Sequence, residues 1–200
     1  MIKKIITTSA LTFCIALTAQ AAEEWSLAKD SDGVKIYLKE VPGSKYKAFK
    51  SVITINANIE RVVAEQANAE KSCNWIHDCK SSKLLKSEAN QAWVYTRFKA
   101  PWPVTERDSI LHLVTTKQDD GSYIRKIEAS PTYLPNDSDY VRVQSVEGSW
   151  HLKPLSDTKV EVTYQLHTDP GGSVPAWLAN KFVVDAPFNT LRGLKAAAEK

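Results

Sequence analysis

The sequence predicts an α+β fold in which a curved antiparallel sheet packs against one long C-terminal helix. Residues 34–56 have the composition of a strand hairpin, and six more strand-like segments follow between residues 84 and 168 with no helical period between them. Residues 173–200 are helical and amphipathic. Consecutive strands without crossover helices pair antiparallel, and an amphipathic helix buries its apolar stripe on another element.

The first 21 residues have the features of a cleaved secretory signal peptide. Two lysines stand near the start, a mostly apolar stretch reaches Leu17, and an Ala-Gln-Ala cleavage site ends at Ala21. We therefore expect export to the periplasm and a mature single domain of residues 22–200. That domain carries 24 basic and 23 acidic residues, so the strong positive charge typical of nucleic-acid-binding proteins is missing and no nucleic-acid partner is expected.

Two cysteines, Cys73 and Cys79, remain in the predicted mature domain. In an oxidising compartment they can close a small loop through a disulfide. A pair of reduced thiols is the first alternative, and a metal site that also uses His77 is the second. The sequence offers no second Cys/His cluster to supply a fourth ligand, so no metal is expected.

The first elements along the chain are a short turn, the hairpin and a helix. Residues 25–29 are expected to form a helical turn, and Pro42-Gly43 predicts the turn of the 34–56 hairpin. Asn58 is the predicted N-cap of the helix that follows. Its apolar residues recur at helical spacing: Ile59, Val62, Val63 and Ala67.

Six strands and the last helix complete the domain. The strand-like segments are residues 82–88, 92–100, 109–118, 122–130, 140–152 and 160–168. In the last helix an apolar stripe is predicted from Trp177, Val184, Phe188 and Leu191. Pro187 is expected to kink this helix.

Three sequence blocks occur in a specific order around the predicted strands: PWPVTERDS at 101–109, EGSWHLKP at 147–154 and DPGGSVPAWLAN at 169–180. Together they resemble the bacterial exported branch of the StAR-related lipid-transfer (START) domain family, from about Trp25 to the C-terminus. The resemblance implies a helix-grip fold, with one lipid in an apolar tunnel between sheet and helix. It also implies lipid transfer or sensing, with no enzymatic activity and no cofactor. Some eukaryotic members carry a buried acidic-basic pair, but Leu113 occupies its basic position here.

Arg107, in the Arg-Asp pair of the first block, has two interpretations. Its guanidinium can fork onto the phosphate or carboxylate of a head group. Alternatively, it forms an ion pair that locks the loop between Pro103 and the next strand.

Strand alternation places Trp93, Tyr95 and Arg97 on one face of residues 92–98. This face either lines the tunnel or is the outer face, with Arg97 in water. The candidate ligand-binding residues are therefore Trp93, Tyr95, Arg97, Arg107, Trp177, Val184, Phe188 and Leu191.

Gly171-Gly172 can be interpreted as a phosphate-binding loop or as a hinge. The segment leaves an antiparallel strand and lacks a G-K-[ST] ending, which favours the hinge of a lid. Ser173 is then the predicted N-cap and Pro175 lies in the first helical turn. Alanine at both glycines is expected to slow ligand exchange.

Trp102, between two prolines, is expected either to make transient contact with a membrane interface or to plug the end of the sheet. Glu128 is assigned to solvent. The four histidines occur singly and without a catalytic or metal motif: His77, His112, His151 and His167.

The leading hypothesis is a monomeric protein that holds one lipid or other apolar small molecule. The first alternative is an enzyme of the polyketide cyclase or aromatase type that uses Arg97, His112 or Glu128 in a polar pocket. The second is a structural or partner-binding protein with a filled core, which predicts no tunnel.

Overall fold

The computed structural model describes residues 24–200, apart from the side chains of Ala176 and Lys181. The predicted signal peptide lies outside the described residues. Within residues 24–200, no helix is long and apolar enough to cross a membrane.

The described chain forms ten strands, two α-helices and a 3₁₀ helix, with hairpin turns between most strands. Their bounds are β1 Ser26–Ser31, β2 Val34–Lys39, β3 Ala48–Ile55, α1 Ile59–Ala67, the 3₁₀ helix Ala69–Asn74, β4 Cys79–Glu88, β5 Gln91–Phe98, β6 Arg107–Lys117, β7 Tyr123–Ala129, β8 Val141–Arg142, β9 Ser145–Ser156, β10 Lys159–Asp169 and α2 Ala176–Ala198.

The strands form one sheet in the order β1-β2-β3-β10-β9-β7-β6-β5-β4, and β8 pairs with β6. Every pairing is antiparallel except that of β8 with β6. The predicted α+β fold, a curved antiparallel sheet with a long C-terminal helix, is confirmed.

The N-terminal segment differs from the prediction, because residues 25–29 belong to strand β1 rather than to a helical turn. Asp32 and Gly33 both have positive φ angles, 51° and 73°, and they form a two-residue connection between β1 and β2. An Asp-Gly pair favours this kind of hairpin turn, since both central residues need φ > 0. The short polar strand is therefore held by its turn and by pairing with β2.

The two α-helices begin in different ways. Asn58 caps α1 as predicted, with its Oδ1 accepting a hydrogen bond from the Arg61 amide at 2.9 Å. Ser173 is not the cap of α2, because that helix begins at Ala176 and Pro175 occupies the N-cap position. The residue before a proline is disfavoured in helical conformation, so Val174 cannot easily start the helix. Helix α2 continues past Pro187, and the kink expected there stays a prediction.

The main hydrophobic core lies between the sheet and the C-terminal half of α2. Phe188, Leu191 and Leu194 of α2 are buried against strands β2, β3, β9 and β10. Trp75, which follows the 3₁₀ helix, packs edge-on against Trp150 with ring centroids 6.1 Å apart. This core fixes the second half of α2 on the sheet.

A disulfide joins Cys73 and Cys79, with Cα atoms 4.9 Å apart. It connects the 3₁₀ helix to the start of β4 and so restrains the segment that contains Trp75. The sequence left a disulfide, two reduced thiols and a metal site open for these cysteines, and the structure contains the disulfide. Within residues 24–200, no group of three or more His, Cys, Asp or Glu side chains could hold a metal ion.

Gly193 allows α2 to approach the backbone of Trp75. A Cβ at this position would lie 2.5 Å from the Trp75 carbonyl oxygen and 2.9 Å from its Cα. We expect Gly193→Ala to lower the free energy of unfolding by about 1–3 kcal/mol, as overpacked sites do, although alanine is the better helix former by about 1 kcal/mol. Urea unfolding followed by circular dichroism measures the change.

The control for this prediction is Ala196→Gly, at an exposed position of the same helix, which loses only helix propensity, about 1 kcal/mol. A Gly193→Ala protein as stable as the unmodified one would contradict the proposed close approach.

Candidate functional site

A cavity of about 700 Å³ lies between one face of the sheet, the segment from α1 to Asp78, and the N-terminal half of α2. Its size falls in the range of small-molecule sites, about 300–1,000 Å³. Helix α2 contributes a lining that is almost wholly apolar: Ala179, Phe182, Val183, Ala186, Pro187 and Thr190.

Strand alternation explains which sheet residues reach the cavity. Strand β5 contributes Ala92, Val94, Thr96 and Phe98, and β6 contributes Arg107, Ser109, Leu111, Leu113 and Thr115. These are every second residue of each strand, as expected when one face of a sheet is turned inward, and Gln91 at the start of β5 also borders the cavity. The wall is therefore mainly aliphatic in its middle, with polar side chains towards both ends of β6.

The face of β5 that carries Trp93, Tyr95 and Arg97 is the outer one, so these three candidates do not line the cavity. The Trp93 ring stacks on the imidazole of His112 with centroids 4.4 Å apart. Arg97 forms an ion pair with Asp137, with Nη2 3.0 Å from Oδ2. Alternation separated the two faces of β5 correctly, but the face that lines the cavity is the one with the smaller and less polar side chains.

The candidates on α2 also lie outside the cavity lining. Trp177 is 73% exposed, whereas Phe188 and Leu191 are buried in the core. Val184 is half-buried and is not a lining residue. The predicted stripe packs partly on the sheet, and a neighbouring stripe of α2 faces the cavity. Arg107 is thus the one candidate ligand-binding residue that lines it.

Arg107 has no acidic partner among the described residues, so its interpretation as an ion pair is wrong. Its Nη1 donates to the carbonyl oxygen of Thr105, and its Nη2 lies 3.4 Å from that of Gly171. Its buried Nε has no hydrogen-bond partner. Burial lowers the pKa of Arg107. The guanidinium therefore connects β6 to the glycine loop and remains short of acceptors.

Asp108, the next residue, points to the outer face and is paired with Arg142. The two side chains make two hydrogen bonds, Nε to Oδ1 at 2.9 Å and Nη2 to Oδ2 at 2.8 Å. Both are almost fully buried. Tyr95 donates a third hydrogen bond to Asp108 at 3.0 Å, and Arg142 also donates to the carbonyl oxygen of Pro131 at 2.7 Å. This network fixes the connection between β7 and β8 on the outside of the sheet.

Arg125 of β7 is a cavity residue that the sequence analysis missed. Its Nε donates to Thr115 Oγ1 at 2.8 Å, and its Nη1 donates to the backbone carbonyl of Gln66, near the end of α1, at 2.6 Å. Burial lowers the pKa of Arg125 to about 10, so the guanidinium stays charged at neutral pH. The only signal in the sequence is its alternation with Ile127, and a lone arginine in a strand is more typical of the solvent face.

Buried polar atoms without partners are concentrated around the cavity. Five such side-chain atoms occur in residues 24–200, and four belong to lining residues: Gln66 Nε2, Trp75 Nε1, Arg107 Nε and Ser109 Oγ. The three nitrogens can only donate. An unsatisfied buried polar group costs about 1–3 kcal/mol, so this wall is suited to a ligand that brings hydrogen-bond acceptors.

Gly171 and Gly172 form the connection between β10 and α2. Their φ angles are 67° and 63°, a conformation that glycine adopts at no steric cost. The amide of Gly171 donates to Asp169 Oδ1 at 2.9 Å. Val174 of this segment packs with Val104 of the β5–β6 connection, so the two segments lie side by side at the end of the cavity that contains Arg107, called the loop end below.

A curved antiparallel sheet that holds a C-terminal helix over an internal cavity defines a helix-grip protein. The START domain family model matches residues 6–200, and the chain belongs to this family.

Two relatives match over most of their length. An uncharacterized protein of Pseudomonas aeruginosa is 52% identical over 179 residues, which is 90% of this chain and 89% of that protein. The human phosphatidylcholine transfer protein is 24% identical over 189 residues, 90% of this chain and 86% of that protein.

Solved structures share the fold. The STAR-related lipid transfer protein of Xanthomonas axonopodis has a TM-score of 0.83 and 40% identity, covering 88% of this chain and 99% of that chain. The Zhui aromatase/cyclase of Streptomyces has a TM-score of 0.55 at 11% identity, covering 76% and 93%; this second likeness concerns the fold alone.

The buried pair of Asp108 and Arg142 is expected to contribute strongly to stability. Asp108→Ala leaves the Arg142 guanidinium buried without a counterion, which should lower the free energy of unfolding by about 3–5 kcal/mol. Arg97→Ala is the matched control, because it removes a part-exposed ion pair on the same face and should change stability by less than about 1 kcal/mol. Guanidinium unfolding of both variants tests this, and similar small losses would argue against the assigned role.

Proposed function

We propose that this protein binds one amphipathic lipid in the cavity beneath α2 and transfers it between membranes or partners as a soluble periplasmic carrier. The observation that carries the proposal is the largely apolar cavity of about 700 Å³ in a chain of the START family. The relative from Xanthomonas axonopodis is named a lipid transfer protein and the human one a phosphatidylcholine transfer protein, and these names support the same kind of function here.

The energetics of burial are consistent with useful affinity. Each buried methylene contributes about 0.8 kcal/mol, so a chain of about 15 methylenes supplies about 12 kcal/mol. Association costs at least about 4 kcal/mol. The difference is at most about 8 kcal/mol, so the expected affinity is micromolar or weaker, which permits both loading and release.

We propose that the ligand enters at the loop end. The hydrogen bond from Arg107 to the Gly171 carbonyl must break or shift if the glycine segment moves, so the guanidinium couples the loop to the cavity. Trp102 lies in the β5–β6 connection and Trp177 lies in the first turn of α2, and they are 93% and 73% exposed. Tryptophan is favoured at membrane–water interfaces, which supports a transient docking role for this end of the molecule.

Periplasmic function and action as a monomer are further parts of the proposal. The disulfide between Cys73 and Cys79 is typical of oxidising compartments, which agrees with the expected signal peptide. The proposal includes no enzymatic step. Arg97, His112 and Glu128, which the sequence offered for cyclase chemistry, are all absent from the cavity lining, and Glu128 is exposed as predicted.

Reducing the cavity volume should weaken ligand binding without harming the fold. Ala186 lines the cavity from α2, so Ala186→Phe places a phenyl ring where the ligand would lie. Ala196→Phe, at an exposed position of the same helix, is the matched control. Native mass spectrometry of the delipidated domain against a panel of fatty acids and phospholipids should detect one bound lipid per chain for the control and about tenfold less for Ala186→Phe. If the unmodified protein binds none of these amphiphiles, the proposed function is wrong.

The positive φ angles of Gly171 and Gly172 change the expectation from sequence that alanine slows exchange. A left-handed conformation costs an alanine about 1–2 kcal/mol, so alanine strains the observed loop and should favour its opening. We expect Gly171→Ala/Gly172→Ala to release a fluorescent fatty acid about tenfold faster in stopped-flow experiments. Gly33→Ala carries the same backbone strain in the β1–β2 turn and should leave the release rate unchanged; slower or equal release from the double variant would refute a gating loop.

A further inference from the structure

The second arginine of the cavity wall, Arg125, lies far from the loop end. In the β6–β7 pairing Arg125 is opposite Thr115, eight residues along β6 from Arg107. At about 3.4 Å per residue this separation is about 27 Å along the strand. The cavity therefore has a polar site at each end and an aliphatic middle, an arrangement that matches an extended amphiphile.

Part of the Arg125 guanidinium has a structural role. The hydrogen bond from Nη1 to the Gln66 carbonyl caps the C-terminal end of α1, and Nε is held by Thr115, as is common for arginines near helix ends. An arginine has five N–H donors, and these bonds use two of them. Among residues 24–200, the remaining three have no acceptor within hydrogen-bonding distance. The structural role therefore leaves most of the donor capacity free.

Charge compensation at Arg125 is also missing. No acidic side chain of the described residues forms an ion pair with it, and burial alone shifts its pKa, with no contribution from a nearby charge. The contrast with Arg142 is direct, since that buried arginine has Asp108 as its counterion. Arg125 is partly buried in the cavity wall, and a cation withdrawn from bulk water without a counterion is costly, so an anion supplied by a ligand would be favoured here.

Gln66 adds a second donor at the same end. The residue is buried, with only 7% of its surface exposed, and its Nε2 is buried and has no hydrogen-bond partner. Gln66 and Arg125 both line the cavity, and the hydrogen bond from Arg125 to the Gln66 backbone carbonyl brings the two residues to the same end of it. Two adjacent donors with a positive charge match a group that only accepts hydrogen bonds, which is the property of a carboxylate or a phosphate.

We propose that the cavity selects an anionic amphiphile whose carboxylate or phosphate binds Arg125 and Gln66 at the α1 end, with its hydrocarbon chain running towards the loop end. This inference rests on the proposed function and adds the class of lipid and its orientation. Amphiphiles without an acid group, such as long-chain alcohols, leave the Arg125 charge uncompensated and bind more weakly.

Three probes with the same chain separate head-group recognition from chain burial. Hexadecanoate, hexadecyl phosphate and hexadecanol are titrated below their aggregation limits into the delipidated mature domain. A hydrogen bond to a charged group increases affinity by about 10- to 100-fold. We expect at least one acid to bind about 10- to 100-fold more tightly than hexadecanol, and the tighter acid identifies a fatty-acid-like or a phosphorylated head group.

Substitutions at Arg125 and Gln66 test whether these residues cause the preference for the acids over hexadecanol. Arg125→Gln should reduce the ratio of acid to alcohol affinity to about one while hexadecanol affinity changes less than threefold. Arg125→Lys should keep part of the preference, because it retains the charge and loses the forked geometry. Arg97→Gln is the matched control, since it removes one positive charge from the outer face, and it should keep the full preference. Gln66→Met should reduce the preference by about three- to tenfold and tests the site even if Arg125→Gln does not fold.

The outcomes are separable from those of the proposed function. Equal affinity for acids and alcohol in the unmodified protein overturns the anionic assignment and leaves lipid binding intact. Loss of the preference in Arg107→Gln but not in Arg125→Gln places the acid at the loop end and overturns the orientation. Binding of no probe and no phospholipid overturns both proposals.

Discussion

The alternation of Arg107 and Asp108 along β6 is the constraint on which the site depends. Consecutive strand residues face opposite sides of a sheet, so the two charges cannot neutralise each other. Asp108 is neutralised on the outer face by Arg142, which donates two hydrogen bonds to it. Arg107 is left on the inner face with two backbone carbonyls as acceptors. In the sequence, Arg107 and Asp108 look like an ion pair with each other. In the fold, Asp108 is bonded to Arg142 on the outer face, and Arg107 faces the cavity.

The two faces of this half of the sheet consequently differ in how well their polar groups are satisfied. On the outside, Tyr95 and Arg97 continue the network from Asp108 to Asp137. On the inside, Arg107 and Arg125 have no carboxylate partner among the described residues. A protein with nearly balanced total charge can therefore present two arginines to its cavity without a carboxylate bonded to either, although Asp78 also borders the cavity. Hydrogen bonds inside a low-dielectric cavity are stronger than in water, so even one ligand acid would change the energetics of this wall substantially.

Secondary structure could be predicted well because its signals are local. The Asn58 cap and the alternating strands depend on neighbouring residues. The helical turn predicted for residues 25–29 was wrong, because this segment is held as β1 by pairing with β2 across the Asp32-Gly33 turn. The identity of the inner face could not be predicted in this way. Alternation separates Trp93, Tyr95 and Arg97 from their neighbours on β5, but which set faces inward depends on where α2 packs. For the same reason the alternation of Arg125 with Ile127 could not identify it as a cavity residue, since the α1 segment that covers it is distant in sequence.

Helix α2 shows why its apolar residues could not all be assigned to one function. Its C-terminal half, with Phe188, Leu191 and Leu194, is buried in the core. Its N-terminal half mainly lines the cavity. Gly171 and Gly172, which have positive φ angles, precede the N-terminal half of α2, which contributes none of its described side chains to the main hydrophobic core. A displacement near Ala179 would open the cavity while the core contacts at Leu191 and Leu194 persist. Stability and ligand exchange are thus assigned to different halves of one helix, and substitutions in one half should affect one property largely without the other.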